Sequence, residues 1–180
     1  SEEDIIREAE RIAREALKRA RKIAEDARRI SEKALEDARR IAKEAHDISK
    51  KALEDAARKR RREDVERALE DVERKDRKLL RELEEALKRV ARESEESLKE
   101  LKRLLEKVEE DIRRLADAAR RGLDAKRAAE EAKRLAEEAE EAAKRVADRN
   151  RKLAKEAADL AREVAKRSEE LAREAAKKAQ

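Results

Sequence analysis

The residues of this 180-residue chain that could do chemistry are few: a single histidine, His46, and some serines, an asparagine and an aspartate that interrupt otherwise aliphatic stripes. Ser31 and Ser49 fall in the apolar arc of the first third. Asp76 and Ser94 share with Ile112 the middle of the second third's stripe, and Ser97 takes the position held by Leu79 and Leu115. Asn150 and Ser168 continue the position begun by Ala132. His46 sits at the edge of the first arc, beside Leu53. Two readings of it are open. It is a boundary residue donating one hydrogen bond, or a pH-responsive contact with Asp76, imidazole being the side chain that changes charge near neutral pH.

Catalysis and metal binding are not expected from this set. A transition-metal site takes about three or four ligands, and one His with one Asp falls short. A His–Asp dyad here lacks an activated nucleophile and a pocket, and no general base comes within reach of Ser31 or Ser94. The chain has no Cys, which removes thiolate chemistry, cysteine-ligated metal and disulfides. No enzyme activity and no cofactor are expected.

The elements that must position these residues follow from composition. Pro, Met, Phe, Trp and Tyr are absent and Gly occurs once. Strands need β-branched and aromatic runs punctuated by turn residues, so none is predicted. Charged residues make up 56% of the chain, enough to suggest disorder, but the apolar 38% is nearly all Ala, Leu, Ile and Val at regular intervals. With Glu, Lys and Arg they are strong helix formers, and the chain is predicted to be all-α.

The intervals share one period of 18 residues. It relates Ile5, Ile23 and Ile41, Ile12, Ile30 and Ile48, and Leu17, Leu35 and Leu53. Later it relates Leu69, Leu87 and Leu105, Val72, Val90 and Val108, and Leu135, Leu153 and Leu171. Five turns at 3.6 residues close on 18, so such a stripe runs along the axis without drift and predicts straight helices, whereas a heptad would impose a supercoil. Stripe phase changes between Ala57 and Val65 and again near Gly122, from about 190° to 20° to 230° at 100° per residue. The chain must turn there. Helices are predicted at about 2–59, 64–120 and 124–179, with Asp64 and Asp124 as N-caps and Gly122 after the second helix. Short turns join antiparallel neighbours, giving one domain, an up-down-up three-helix bundle with helices roughly 80 Å long.

In that register Ser31, Ser94 and Asn150 stand at one height, with Ser97 close by. His46, Ser49, Asp76 and Ser168 stand at another, five turns away. An unpaired buried polar group costs about 1–3 kcal/mol, so coincident positions on three helices predict mutual hydrogen bonds that penalise register slips and wrong pairings. The alternative is that these side chains are partly exposed surface choices.

The remaining features point to no partner class. The 53 basic and 48 acidic residues are interleaved, leaving a net +5 without a concentrated face. Neither nucleic acid nor a membrane surface is expected as a partner. No apolar run approaches the ~18 residues of a membrane span and no signal segment is recognised, so a soluble protein is expected. The run Arg58, Lys59, Arg60, Arg61 and Arg62 could bind phosphate or address a nucleus, but it also suits a helix C-terminus and a solvated turn. An alanine arc (Ala129, Ala147, Ala165, with Ala136, Ala154 and Ala172) widens the third helix's apolar face. It is filler, tight packing against helix one, or a shallow patch for a homo-oligomer.

Taken together, the strict repeat, the Ala/Leu/Glu/Lys/Arg vocabulary, the Gly122 to Asp124 loop and the layered polar positions resemble computationally designed, parametrically generated, untwisted helical bundles with buried hydrogen-bond networks. The resemblance covers the whole chain. It implies a structural scaffold without natural activity and requiring no partner. The competing class is a protein-binding or self-assembly module. The Gly-free first turn departs from the usual designed loops.

Overall fold

Uninterrupted strong helix formers and apolar stripes on one side dictate long helices. A computed structural model, which describes residues 1–59 and 63–179, contains three: α1 (Glu2–Lys59), α2 (Glu63–Arg120) and α3 (Ala125–Lys178), with no strand among the described residues. They pack against each other as an all-α bundle. The predicted boundaries hold to within a residue or so. One cap does not: α2 begins at Glu63, which puts Asp64 inside its first turn instead of ahead of it. Residues 60–62, the centre of the predicted Gly-free turn and the last three of the basic run, lie outside the described residues.

The described ends show why the helices start and stop where they do. At the start of α1 the Ser1 hydroxyl accepts from the Asp4 amide at 3.3 Å and donates to the Asp4 carboxylate at 2.9 Å, a reciprocal cap. Arg58 and Lys59 occupy the last turn, where cations complement the helix dipole. After α2 the Leu123 amide donates to the Ala118 carbonyl at 3.0 Å and the Gly122 amide to the Ala119 carbonyl at 3.3 Å. This pair of bonds needs a left-handed residue between them. Gly122 supplies it at φ 123°. Asp124 then caps α3, its side chain accepting from the Lys126 amide at 3.0 Å.

Because nothing lies within 4 Å of where a Gly122 Cβ would stand, the cost of Gly122→Ala is backbone strain alone. We expect a loss of about 1–3 kcal/mol in urea unfolding, with no change in helix content by circular dichroism.

The described residues group into two compact units, each containing a stretch of all three helices. The first unit comprises Ser1–Ile30 and Glu93–Lys152. Its core brings Ala13, Ala16, Leu17 and Ala20 of α1 against Leu101, Leu105, Val108 and Ile112 of α2 and Ala132, Ala136, Ala139 and Ala143 of α3. A smaller cluster there joins Ile6 to Ala116, Ala119, Ala125 and Ala128. As numbering rises on α1 and α3 it falls on α2, so α2 is antiparallel to both. Alanine on two helices allows close approach, and the Leu and Val of α2 fill the space left. In the second unit, Ser31–Arg92 with Leu153–Gln180, Leu35, Ala38 and Ala42 meet Leu83, Leu87 and Val90 and Leu153, Ala157, Ala161 and Val164. Beyond them Ala56, Val65, Leu69, Val72 and Ala175 form a second cluster.

One stripe of α1 lies outside the core. Ile5, Ile23 and Ile41 are half-buried, but Ile12, Ile30 and Ile48 are 38%, 40% and 64% exposed. The apolar arc of α1 is wider than two neighbouring helices can cover.

Ion pairs across helices tie the first unit's surface. Arg19 pairs with Glu140 at 3.1 Å, Arg120 with Glu10 at 2.6 Å and Glu3 at 3.4 Å, and Arg21 with Glu109. The Arg21 hydrogen bond outweighs partial burial and, with Arg113, holds the Glu109 carboxyl below its usual range. A lowered pKa in the fold means that the contribution is present above the ordinary glutamate value and lost as pH falls through the folded one. Urea unfolding at about pH 7 and about pH 3 should therefore show a smaller acid-induced loss for Glu109→Gln than for the parent chain. The effect is small, since both partners are substantially exposed.

Candidate functional site

All but one of the polar positions on the apolar stripes are buried where the repeat puts them. Ser31, Ser49, Asp76, Ser94, Asn150 and Ser168 are each at most 5% exposed. At such depth every hydroxyl and carboxylate must find a protein partner. Among the described residues no buried side-chain nitrogen or oxygen lacks one.

In the first unit the Ser94 hydroxyl of α2 donates to Asn150 Oδ1 of α3, and Asn150 Nδ2 donates to the Val146 carbonyl one turn back at 2.9 Å. The amide thus binds its own helix with one end and its neighbour with the other. Ser31 is buried in the second unit and is hydrogen-bonded or otherwise paired. Ser97, expected near this layer, does not join it: it is half-buried and makes no side-chain hydrogen bond among the described residues. Three residues past Ser94 is about 300° of rotation, which carries Ser97 some 60° off the buried line.

The second unit holds the larger network, with Asp76 of α2 as its hub. The Ser168 hydroxyl of α3 donates to Asp76 Oδ1 at 2.9 Å, and His46 Nδ1 of α1 lies 3.0 Å from Oδ2. The Ser49 hydroxyl, three residues past His46 on α1, donates to the Ser168 carbonyl at 2.9 Å. All three helices are joined through one carboxylate that is 2% exposed. Its partners are directional, so a slip of any helix by one residue would break at least one of them.

The arrangement contains Ser, His and Asp but not a hydrolytic triad. In a triad the imidazole stands between hydroxyl and carboxylate so that it can take the hydroxyl proton. Here the carboxylate stands between the other two, the Ser168 hydroxyl donates to it, and Ser168 is fully buried. No group of three His, Cys, Asp or Glu residues able to hold a metal occurs among the described residues. No described helix is long and apolar enough to cross a membrane.

One feature departs from the sequence expectation. His46 does have a pocket: with Leu53, Ala57, Leu69 and Asp76 it lines an open cleft of about 470 Å³ between α1 and α2, rimmed by Lys50, Glu73 and Arg77 among other charged residues. Periodicity assigns faces but carries no information on where two faces fail to close, so this cleft left no mark in the sequence. Nor did the use of a backbone carbonyl, that of Ser168, as a network acceptor.

No protein-family model, curated protein or solved structure matches the chain.

Proposed function

We propose that this chain is a designed structural scaffold of untwisted helices with no natural biochemical activity, in which the buried polar groups specify which helix faces which and in what register. The observation that carries this reading is the Asp76 network, where a single buried carboxylate accepts from α1 and α3 at once. Aliphatic packing discriminates poorly against a slip of one whole 18-residue repeat, which sets like residues opposite like ones. Directional hydrogen bonds do discriminate, and an alternative pairing would leave buried polar groups unsatisfied. The 18-residue period supports straight helices, since it matches the unstrained turn.

The paired polar residues of the first unit test it. Ser94→Ala with Asn150→Leu should cost less thermal stability than Asn150→Leu alone, because the Ser94 hydroxyl is no longer left buried without its acceptor. It should also broaden or multiply the amide resonances as pairing becomes degenerate. A variant and a parent that both give one set of sharp resonances would overturn the specificity reading.

A second reading, self-association, is favoured by the exposed Ile12, Ile30 and Ile48. Light scattering on the eluting protein separates the two. The scaffold reading expects 20.8 kDa. A dimer that reverts to monomer on Ile12→Lys and Ile30→Lys would establish association instead.

A further inference from the structure

The cleft beside His46 offers chemistry that a scaffold does not use. We propose that His46 acts as a nucleophile toward neutral, activated aryl esters held in this cleft, with Asp76 as its positioning residue.

The argument begins with the proton on the ring. Asp76 Oδ1 accepts from the Ser168 hydroxyl and Oδ2 faces His46 Nδ1 at 3.0 Å. With both carboxylate oxygens as acceptors, Nδ1 carries the hydrogen, so it is Nε2 that holds the lone pair whenever the ring is neutral. Asp76 is 2% exposed, so water does not compete for Oδ2, and Ser168 fixes the carboxylate's orientation. The ring is therefore held in one tautomer and one plane, the two conditions that an orienting carboxylate provides in nucleophilic and base catalysis. Nε2 makes no hydrogen bond among the described residues, and the His46 side chain, 34% exposed, lines the cleft.

The cleft defines the substrate class. Leu53, Ala57 and Leu69 give an aliphatic wall against which a flat aryl group can lie. Lys50, one turn beyond His46, and Arg77, next to Asp76, are the two cations of a rim that also carries Glu54, Glu66, Glu70 and Glu73. Glu66, Glu70 and Glu73 on the same rim disfavour an anionic ester. A small neutral ester with a good leaving group, such as p-nitrophenyl acetate, meets these conditions.

In the first step Nε2 attacks the carbonyl carbon and the bond to the aryl oxygen breaks, the aryloxide leaving with the electron pair. The acyl-imidazolium that remains keeps its Nδ1 hydrogen on Asp76, whose charge offsets the new cation. Water then attacks the acyl carbon, the carbon–Nε2 bond breaks and its electron pair returns to Nε2. The carboxylate leaves, and the two protons of the water pass to solvent.

The test is the initial rate of p-nitrophenyl acetate hydrolysis by the full chain, compared with equimolar 4-methylimidazole. Rates should saturate with ester, exceed one turnover per chain, and run at least about tenfold above the free imidazole through positioning. His46→Ala, whose fold is checked by circular dichroism, should fall to the background of lysine acylation. Asp76→Asn can turn its amide toward Nδ1 and reverse the tautomer. It should lower the saturated rate about tenfold or more while leaving KM nearly unchanged, a split that loosened packing would not produce. An unchanged rate in His46→Ala, a parent rate equal to that of 4-methylimidazole, or single acetylation of lysines without turnover would each overturn the proposal. An unchanged saturated rate in Asp76→Asn would overturn the role given to Asp76.

Discussion

His46→Leu combined with Ser168→Ala is expected to lower stability by about 3–5 kcal/mol, and adding Asp76→Leu to recover most of that loss. The double change removes both side chains that bond the Asp76 carboxylate and leaves a charged group, 2% exposed, without compensation. Its desolvation in the fold is then unopposed. The third change removes the charge itself and fills the space with a side chain of similar size, so the interior becomes apolar instead of defective. Three substitutions should therefore be less harmful than two, as measured by urea midpoints at fixed slope. Additive losses would mean that the carboxylate is reached by water in the double variant. If the triple variant also shows the broadened resonances expected of Ser94→Ala with Asn150→Leu, stability and pairing specificity will have been separated in the same network.

The second large effect is expected in the first unit's core. Leu17, 1% exposed, is the largest of the fully buried side chains and packs in a cluster whose buried α3 members are alanines, Ala132, Ala136, Ala139 and Ala143, with Leu135 and Val146 packed against it from partly exposed positions. Leu17→Ala should cost about 2–5 kcal/mol, toward the upper part of that range. The reason is the neighbourhood. Alanine has no rotamers with which to collapse into a void, and rigid helices cannot move inward at one point without disturbing contacts along their length, so most of the cavity should persist. Ile48→Ala on the same helix removes a side chain of equal volume that is 64% exposed. It should change the urea midpoint very little. Equal losses at the two positions would contradict the distinction between core and surface on α1.

Much of this is legible in the sequence. The absence of turn residues over long spans, the strong helix formers and the 18-residue repeat gave three helices with limits close to those observed, because in a helix burial and sequence spacing are related by a fixed angle. The phase jumps located both reversals. The Gly122 turn could be read in detail because a left-handed position admits few residues. The Asp64 cap could not, since the segment before it lacks any residue so restricted, and the helix simply starts earlier.

The site divides in the same way. That Ser49, Asp76, Ser94, Asn150 and Ser168 would be buried followed from their places in the repeat, and register suggested which would meet. The same repeat overstated the core, counting Ile12, Ile30 and Ile48 into a face that two neighbours do not cover. It also placed Ser97 in a layer that an offset of about 60° takes it out of.

What the sequence determined by itself, then, is periodic: helix identity, helix ends, the buried line on each helix and the likelihood of polar groups meeting at common heights. Tertiary structure alone decided the geometry between lines. It set Asp76 between His46 and Ser168, turned the Ser49 hydroxyl to a backbone carbonyl, and left a cleft open beside His46. A single helix specifies angles about its own axis, and hydrogen bonds across helices, like the gaps between them, depend on distances that arise only when three helices pack.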